Sequence, residues 1–579
     1  MAEDTARHDA ARAPYNFIPF SDKVLLPYDS PEQLPPHDRM APGLKMGEIH
    51  VTMTADTPVF VGDGGRPPRF FRGSGGRYML PGSTIRGMVR ENMQILGFGL
   101  MRPDEDMKDV KIYFRDMASR AGDSDDPLKN YYRAALGIRM VPAQDGGLKA
   151  VPVAVKAGYV RRENGRYRLY PSKPPLTVRR DHPDVETLRA AARQAGGGIP
   201  RDNAWTEQVF YRAENGRVTR ICGAYEEGTR RGTLMCTGRW VGKTANPLYL
   251  FPPADRDPLS LKEEDVLSYL EDLEKRSAAL GRNRSFWELP REGREKPVFY
   301  VEYEGHIYLG MSRFPRIGYR YPLSRGLPES HRNAGDKVDL PYAILGFAHR
   351  DGAYRSRVSF GDFAAEGDGL RTQEASVVLI GPKPSYYPGY VEGGKHYNSE
   401  SFRLRGYKQY WLKEAEPAGT GAPRAVSIRP LPRGTRFGGV IRYKNLTGEE
   451  LGLLLWCLRL EDGCFQSVGM AKPYGYGRMR LTIQSVREFE PDTLYRGGSF
   501  QAPPWRDGTE KVGEYIDRYR AYARRQLDEP GPLEENDVLR DFFYMRSAIR
   551  EKDETRYMEL KDYSRRKTLP SVRNERKGK

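Results

Sequence analysis

The chain has 579 residues, with 94 Lys and Arg against 77 Asp and Glu, for a net charge of +17. That length exceeds a usual single domain, so two or more compact units, or one core with large insertions, are expected. No stretch approaches the ~20 apolar residues of a membrane-spanning helix, and the excess of positive charge favours polyanion partners, because each neutralised phosphate releases counterions.

Residues 1–47 are polar and proline-rich, with one apolar island, YNFIPF (Tyr15–Phe20). They read as an extended N-terminal arm packed by that island. The opening MAEDTARHDAARAP has no apolar core and does not read as a secretory signal. A first strand follows in EIHVTMTADTPVFVG (Glu48–Gly62), where Ile49, Val51, Met53 and Ala55 alternate with polar positions.

After a Gly, Arg and Pro-rich loop, LPGSTIRGMVRENMQILGFG (80–99) predicts a helix with Ser83 as N-cap. Ile85, Met88, Val89 and Leu96 form its apolar face. Arg86 and Arg90, four apart, share an exposed face. An exposed helix N-terminus beside two arginines suits a phosphate.

Residues 120–295 read as a basic, partly irregular insertion. Within it, Lys156–Arg180 carries eight Lys or Arg and one acid, with Tyr159, Tyr167 and Tyr170 interleaved. Such a segment suits single-stranded nucleic acid or a basic surface hairpin. Exposed amphipathic helices are expected over Val185–Gln194 and Pro258–Ser277.

Strand-rich sequence resumes over Lys296–Ser324, then in DLPYAILGFAHR and RSRVSFGDF (Arg355–Phe363). The strand TRFGGVIRY leads to the helix NLTGEELGLLLWCLRL, whose Thr447 and Glu450 predict a capping box. Its apolar stripe is Leu451, Leu454, Leu455 and Leu458. GMAKPYGYGRMRL (Gly469–Leu481) then forms a glycine-rich loop into a strand. From Glu490 the chain is polar, with helices around Lys511–Gln526 and Asn536–Arg550 and a basic end at Lys561–Lys579, read as a flexible tail.

The four cysteines (Cys222, Cys236, Cys457 and Cys464) form no CxxC pair, which fits buried thiols in a reducing cytoplasm rather than zinc. The glycine-rich loop follows a helix and lacks GxxxxGK[ST], so it matches neither a P-loop nor a dinucleotide fingerprint. Its glycines would permit close approach, Lys472 and Arg478 supply charge, and Tyr474 and Tyr476 supply stacking faces. Strand, helix, strand, strand, capped helix, strand suggests an α+β, ferredoxin-like core. Whether 206–335 forms a second such module stays open.

LPGSTIRGMVRE, RSRVSFGDF behind ILGF, RGTRFGGVIRY and GMAKPYGYGRMRL, in this order, resemble four blocks of the RAMP superfamily of CRISPR-associated proteins. YNFIPF, GTLMCTGRWVGK (Gly232–Lys243) and the Lys296 strands also resemble large, insertion-bearing relatives of the backbone subunits of type III CRISPR effector complexes. The resemblance implies a RAMP core in two parts, 48–119 and 296–489, followed by a helical, basic C-terminal tail over 490–579.

It further implies binding of a CRISPR RNA, with complementary target RNA and other RAMP-type and large effector subunits as partners. By position, the guide phosphates would meet Ser83, Thr84, Arg86, Arg90, Arg357, Lys472, Tyr474, Gly475, Tyr476, Gly477 and Arg478. Arg357 has a second reading, as a brace paired with Asp362. Some such subunits cut guide-paired target RNA through a loop aspartate and a divalent ion such as Mg. Asp63 in VGDGG is the only acid available for that endoribonuclease role, and forming an Asx turn is its competing role. A CRISPR RNA processing endonuclease would need a histidine, and His50, His306 and His349 all lie outside the glycine-rich loop.

Overall fold

The computed structural model describes residues 10–116, 127–142, 147–194, 204–237, 247–280, 284–349, 352–367, 369–417, 425–491, 493, 504–559, 562–563 and 565–578. The chain divides into two compact units, residues 1–108 with 324–579, and residues 109–323. The insertion expected over 120–295 is therefore longer: the strands at Glu295–Tyr303 and His306–Gly310 belong to the second unit, paired with Lys156–Glu163.

The first unit contains, in chain order, β1 (Tyr15–Ile18), β2 (Lys45–Ala55), β3 (Met79–Leu80) and α1 (Gly82–Leu96). After the second unit come α2 (Leu340–Leu345), β4 (Val358–Phe360), β5 (Phe363–Ala365), β6 (Tyr407–Tyr410), β7 (Arg436–Leu446) and α3 (Gly448–Arg459). Further on come β8 (Gln466–Ser467), β9 (Arg478–Phe489), α4 (Val512–Gln526) and α5 (Asp537–Ser547). The main sheet runs β8-β9-β2-β7-β5-β3, with β4 also on β7, and its pairings are antiparallel. The architecture is α+β.

The alternation read in β2 buries Ile49, Val51, Met53 and Ala55 in one core with Ile85, Val89 and Leu96 of α1. A bulge in the β2–β9 ladder falls between His50 and Val51. Helix α3 is more deeply buried than its expected stripe: Leu453, Trp456 and Cys457 are as inaccessible as Leu451, Leu454, Leu455 and Leu458. The reason is α4, which packs on α3 with Tyr519 in van der Waals reach of Trp456. A helix covered on both sides is apolar all round.

The capping box at Thr447 and Glu450 is present, and it sits in a larger buried network. Arg357 is 3% exposed and pairs through both amino groups with the Glu450 carboxylate. Its Nε donates to the Ala343 carbonyl at 2.8 Å and Nη1 to the Asn445 carbonyl at 2.6 Å. Tyr28 of the arm donates to Glu450 at 2.9 Å. The Asn445 amide donates to the Pro36 and Arg39 carbonyls. The arm is thus held twice, here and by β1 on β6, which buries Phe17 and Ile18.

The C-terminal segment differs from the flexible tail expected. Leu569 and Val572 are buried, Arg576 pairs with Asp537 and Asp541 at 2.9 Å, and Glu575 pairs with Arg550. Arg573 and Arg576 meet acids on α5, and these charges anchor it. The four cysteines are free thiols, three of them buried.

The second unit holds two five-stranded sheets. One contains the basic hairpin Lys156–Glu163 and Arg166–Ser172, the other Ala204–Glu214 and Arg230–Thr237. Three of the hairpin's charges face acids: Lys156 meets Glu302, Arg161 meets Glu295, and Arg162 meets Glu292. Tyr159 is buried and donates to the Phe251 carbonyl at 3.0 Å, so it offers no stacking face. Residues 238–243 of the GTLMCTGRWVGK motif lie outside the described residues.

Glu450→Gln is expected to lower stability by about 3–5 kcal/mol, because it leaves a buried guanidinium uncompensated. Urea denaturation of the full chain measures this, and Arg357→Met combined with Glu450→Leu is expected to recover much of the loss.

Candidate nucleic-acid interface

The glycine-rich loop is a tightly folded turn. Lys472–Tyr474 form one 3-10 turn flanked by left-handed Ala471 (φ 62°) and Gly475 (φ 80°). Met470 donates to the Phe60 carbonyl at 2.8 Å and Gly477 to the Pro58 carbonyl at 2.9 Å, which seats the loop on the chain following β2. Gly477 has φ 82°, and a Cβ there would collide with the Val468 carbonyl; one on Gly475 would meet the Glu414 carbonyl. The close approach these glycines permit is to the protein's own backbone, where approach to a guide was expected.

Several expected contacts turn inward for the same reason. Arg478 is 3% exposed, paired with Asp56 at 2.5 Å and Glu414 at 2.7 Å, and donates to the Lys413 carbonyl. Tyr476 is buried, and burial pushes its phenol up. Arg357 braces Glu450, neither facing a guide nor pairing with Asp362. A buried cation needs a partner within the fold, and these have theirs.

At α1 the N-cap is Pro81, so Ser83 lies inside the first turn and is exposed. The Asp362 carboxylate accepts from the Gly82 N–H at 2.7 Å and takes the place at the helix N-terminus that an anion would occupy. Arg86 is half-buried, donates to the Leu345 carbonyl at 2.7 Å, and has its guanidinium pKa lowered by burial and by Arg90. Arg90 pairs with Asp106 at 3.1 Å, its guanidinium 5.6 Å from the Tyr342 ring centre.

Two sequence-predicted residues nevertheless meet. Thr84 of α1 and Lys472 of the loop line one open cleft of about 360 Å³, together with Gly87, Met88 and Glu91 of α1 and Gly469 and Met470 of the loop. Thr84, Gly87, Met88 and Glu91 stand at i, i+3, i+4 and i+7, one helix face. That spacing is present in the sequence, where Met88 reads only as part of the apolar face and Glu91 carries no role. Lys472 is half-buried, and burial lowers its ammonium pKa, opposed by the nearby Glu91 carboxylate. Arg546, 2% exposed, adds a second cation on this side of the fold: its charge also depresses Lys472, and its Nη2 donates to the side-chain Oδ1 of Asn92. The Glu91 carboxylate accepts from the Gln409 amide at 2.9 Å. Tyr474 is half-buried, with Lys413 5.9 Å from its ring centre.

Asp63 lies at the start of the loop after β2, exposed, and its Oδ1 accepts from the Gly65 and Arg69 backbone N–H groups at 2.9 and 3.1 Å. These bonds hold its carboxyl below the usual carboxylate range. That is the geometry of an Asx turn. The cleft is lined by no histidine. His50 sits on β2 near Glu48, and His349 stacks against Phe347 and Tyr342. In the second unit, Glu264, Asp265 and His306 come together, with His306 Nδ1 2.7 Å from Asp265. Lys111 Nζ stands 2.8 Å from the other ring nitrogen, closing a hydrogen-bonded chain of lysine, histidine and carboxylate.

A model of the RAMP superfamily matches residues 52–132, which contain β2's end, the Asp63 loop and all of α1. Among solved structures the chain is similar to Csc2 of Thermofilum pendens, at 17% identity and a TM-score of 0.15, over 36% of its length. The match spans 55% of that protein's length, about half. No curated protein matches the chain.

Gly477→Ala is expected to destabilise the first unit by more than ~1 kcal/mol, since a Cβ there is both strained and obstructed. Asp63→Asn, on an exposed turn, is expected to change stability by less than ~0.5 kcal/mol. Thermal unfolding of the two variants compares them.

Proposed function

We propose that this protein is a CRISPR RNA-binding backbone subunit of a multisubunit, type III-like RNA-guided antiviral complex in the cytoplasm. It grips guide phosphates without reading base sequence, while base pairing selects the target RNA and other RAMP-type and large subunits complete the assembly. The β2, α1, β5, β7, α3, β9 order, with β9-β2-β7-β5 as spatial order, supports reading its core as ferredoxin-like.

The observation that carries the proposal is the cleft in which Thr84 and Lys472 meet. A hydroxyl donor and a lysine beside a helix face are the chemistry of a backbone-positioning phosphate contact. Lys472 and Arg546 outnumber the one nearby acid, Glu91, so an added phosphate relieves charge repulsion in a partly dry site. Tyr474 borders the same turn and offers a ring edge for a base. Arg86, bound only to a carbonyl among the described residues, extends the positive edge along α1.

The reading is of a holding subunit. Asp63 has one carboxylate oxygen bonded to two backbone N–H groups, which favours a turn-forming role over target-RNA cleavage with Mg. A processing endonuclease is disfavoured by the lack of a histidine on the cleft.

Lys472→Ala is expected to weaken single-stranded RNA binding about equally for all sequences, and to reduce the slope of log affinity against log salt by about 0.7. Lys472 has a pKa lowered from 10.5, so it loses its charge as pH rises through that depressed value. RNA affinity is therefore expected to fall with pH in that window and to stay flat in Lys472→Arg, which does not titrate there. An unchanged salt slope and a flat wild-type profile would remove Lys472 from the interface.

A further inference from the structure

A second cleft in the first unit, about 670 Å³, opens between the N-terminal arm, the loop over 392–405 and the C-terminal segment at 568–574. Its volume is within the range of small-molecule sites. Arg405 lines it, 8% exposed. The Arg405 Nε donates to the Val391 carbonyl at 3.2 Å, and no carboxylate among the described residues forms an ion pair with it. A guanidinium cannot shed its proton, and a buried one without an anion is costly. By contrast, the other two arginines on the cleft are matched: Arg403 pairs with Asp22 at 2.7 Å, and Arg573 with Asp537 at 3.2 Å.

Arg405 thus lines the cleft with no carboxylate paired to it among the described residues, in a space much larger than an inorganic ion needs. Glu392 lines the same cleft and is the acid that acts on Arg405 electrostatically, without pairing with it. Phe17 and Phe20 supply an apolar wall. A forked cation, a separate carboxylate and an aromatic wall match, in turn, a phosphate, a pair of ribose hydroxyls and a base.

We propose that this cleft binds a nucleoside 5′-phosphate, with Arg405 on the phosphate and Glu392 on the ribose hydroxyls. The nucleotide is either free or the 5′-terminal residue of an RNA. The site shares no residue with the Thr84 and Lys472 cleft and stands independently of it.

Calorimetric titration of the full chain with AMP, GMP, CMP and UMP, with adenosine, and with tetranucleotide RNA carrying either a 5′-phosphate or a 5′-hydroxyl tests this. A nucleoside monophosphate is expected to bind at least ~10-fold more tightly than adenosine, and Arg405→Met to lose at least ~10-fold. Arg405→Lys, which keeps the charge but not the fork, should fall between. Glu392→Gln should weaken AMP and leave 2′,3′-dideoxyadenosine monophosphate unchanged. Tighter binding of the 5′-phosphorylated tetranucleotide than of AMP assigns the site to an RNA end; equal binding assigns it to the free nucleotide. The proposal is overturned if wild type binds neither the monophosphates nor the 5′-phosphorylated RNA. It is equally overturned if Arg405→Lys and Glu392→Gln, with wild-type thermal midpoints, bind AMP as wild type does. Lys472→Ala, outside this cleft, should bind AMP normally.

Discussion

The buried carboxylate of Glu450 is the point on which the first unit closes. It takes both amino groups of Arg357, the hydroxyl of Tyr28 and the backbone N–H that opens α3. Each partner comes from a different part of the chain, and each would be stranded without it. A charge in a low-dielectric core must find several donors at once, so one acid fixes the arm, the chain entering β4 and the first turn of α3 together. The apolar helix that follows is then held between the sheet and α4, and the glycine-rich loop emerges beyond its end at a defined place.

The same demand for partners takes several of the basic residues out of reach of a polyanion. Arg478 neutralises Asp56 and Glu414, Arg90 neutralises Asp106, and in the second unit Lys156 and Arg161 of the basic hairpin meet Glu302 and Glu295. Net charge is a property of the whole chain, while an anion senses the local surplus. In the first unit Lys472 feels both Arg546 and Glu91, and no carboxylate among the described residues forms an ion pair with Arg405.

Much of the core was legible in the sequence because it rests on local pattern. The period-two alternation of β2, the 3.6-residue period of α1 and the Thr447 and Glu450 box each report on neighbours within a few residues. The cleft was half legible: the PGSTIRG helix and the glycine-rich loop were paired by motif order, and Thr84 and Lys472 do meet. What stayed hidden depends on long-range contacts. Nothing near Arg357 announces Glu450, 93 positions away, and nothing near Arg478 announces Asp56, 422 positions away. The basic C-terminal segment looks solvated until the acids of α5 come opposite it. Arg and Lys look alike in sequence whether they await a ligand or satisfy the fold, and only burial with partners separates the two.

The most direct measurement is ultraviolet crosslinking of single-stranded RNA to the full-length protein, with the modified peptides identified by mass spectrometry. Crosslinks on the peptides carrying Thr84–Glu91 and Gly469–Tyr474 are the predicted result. Crosslinks confined to the Lys156–Arg180 hairpin, with those two peptides unmodified, would contradict the account.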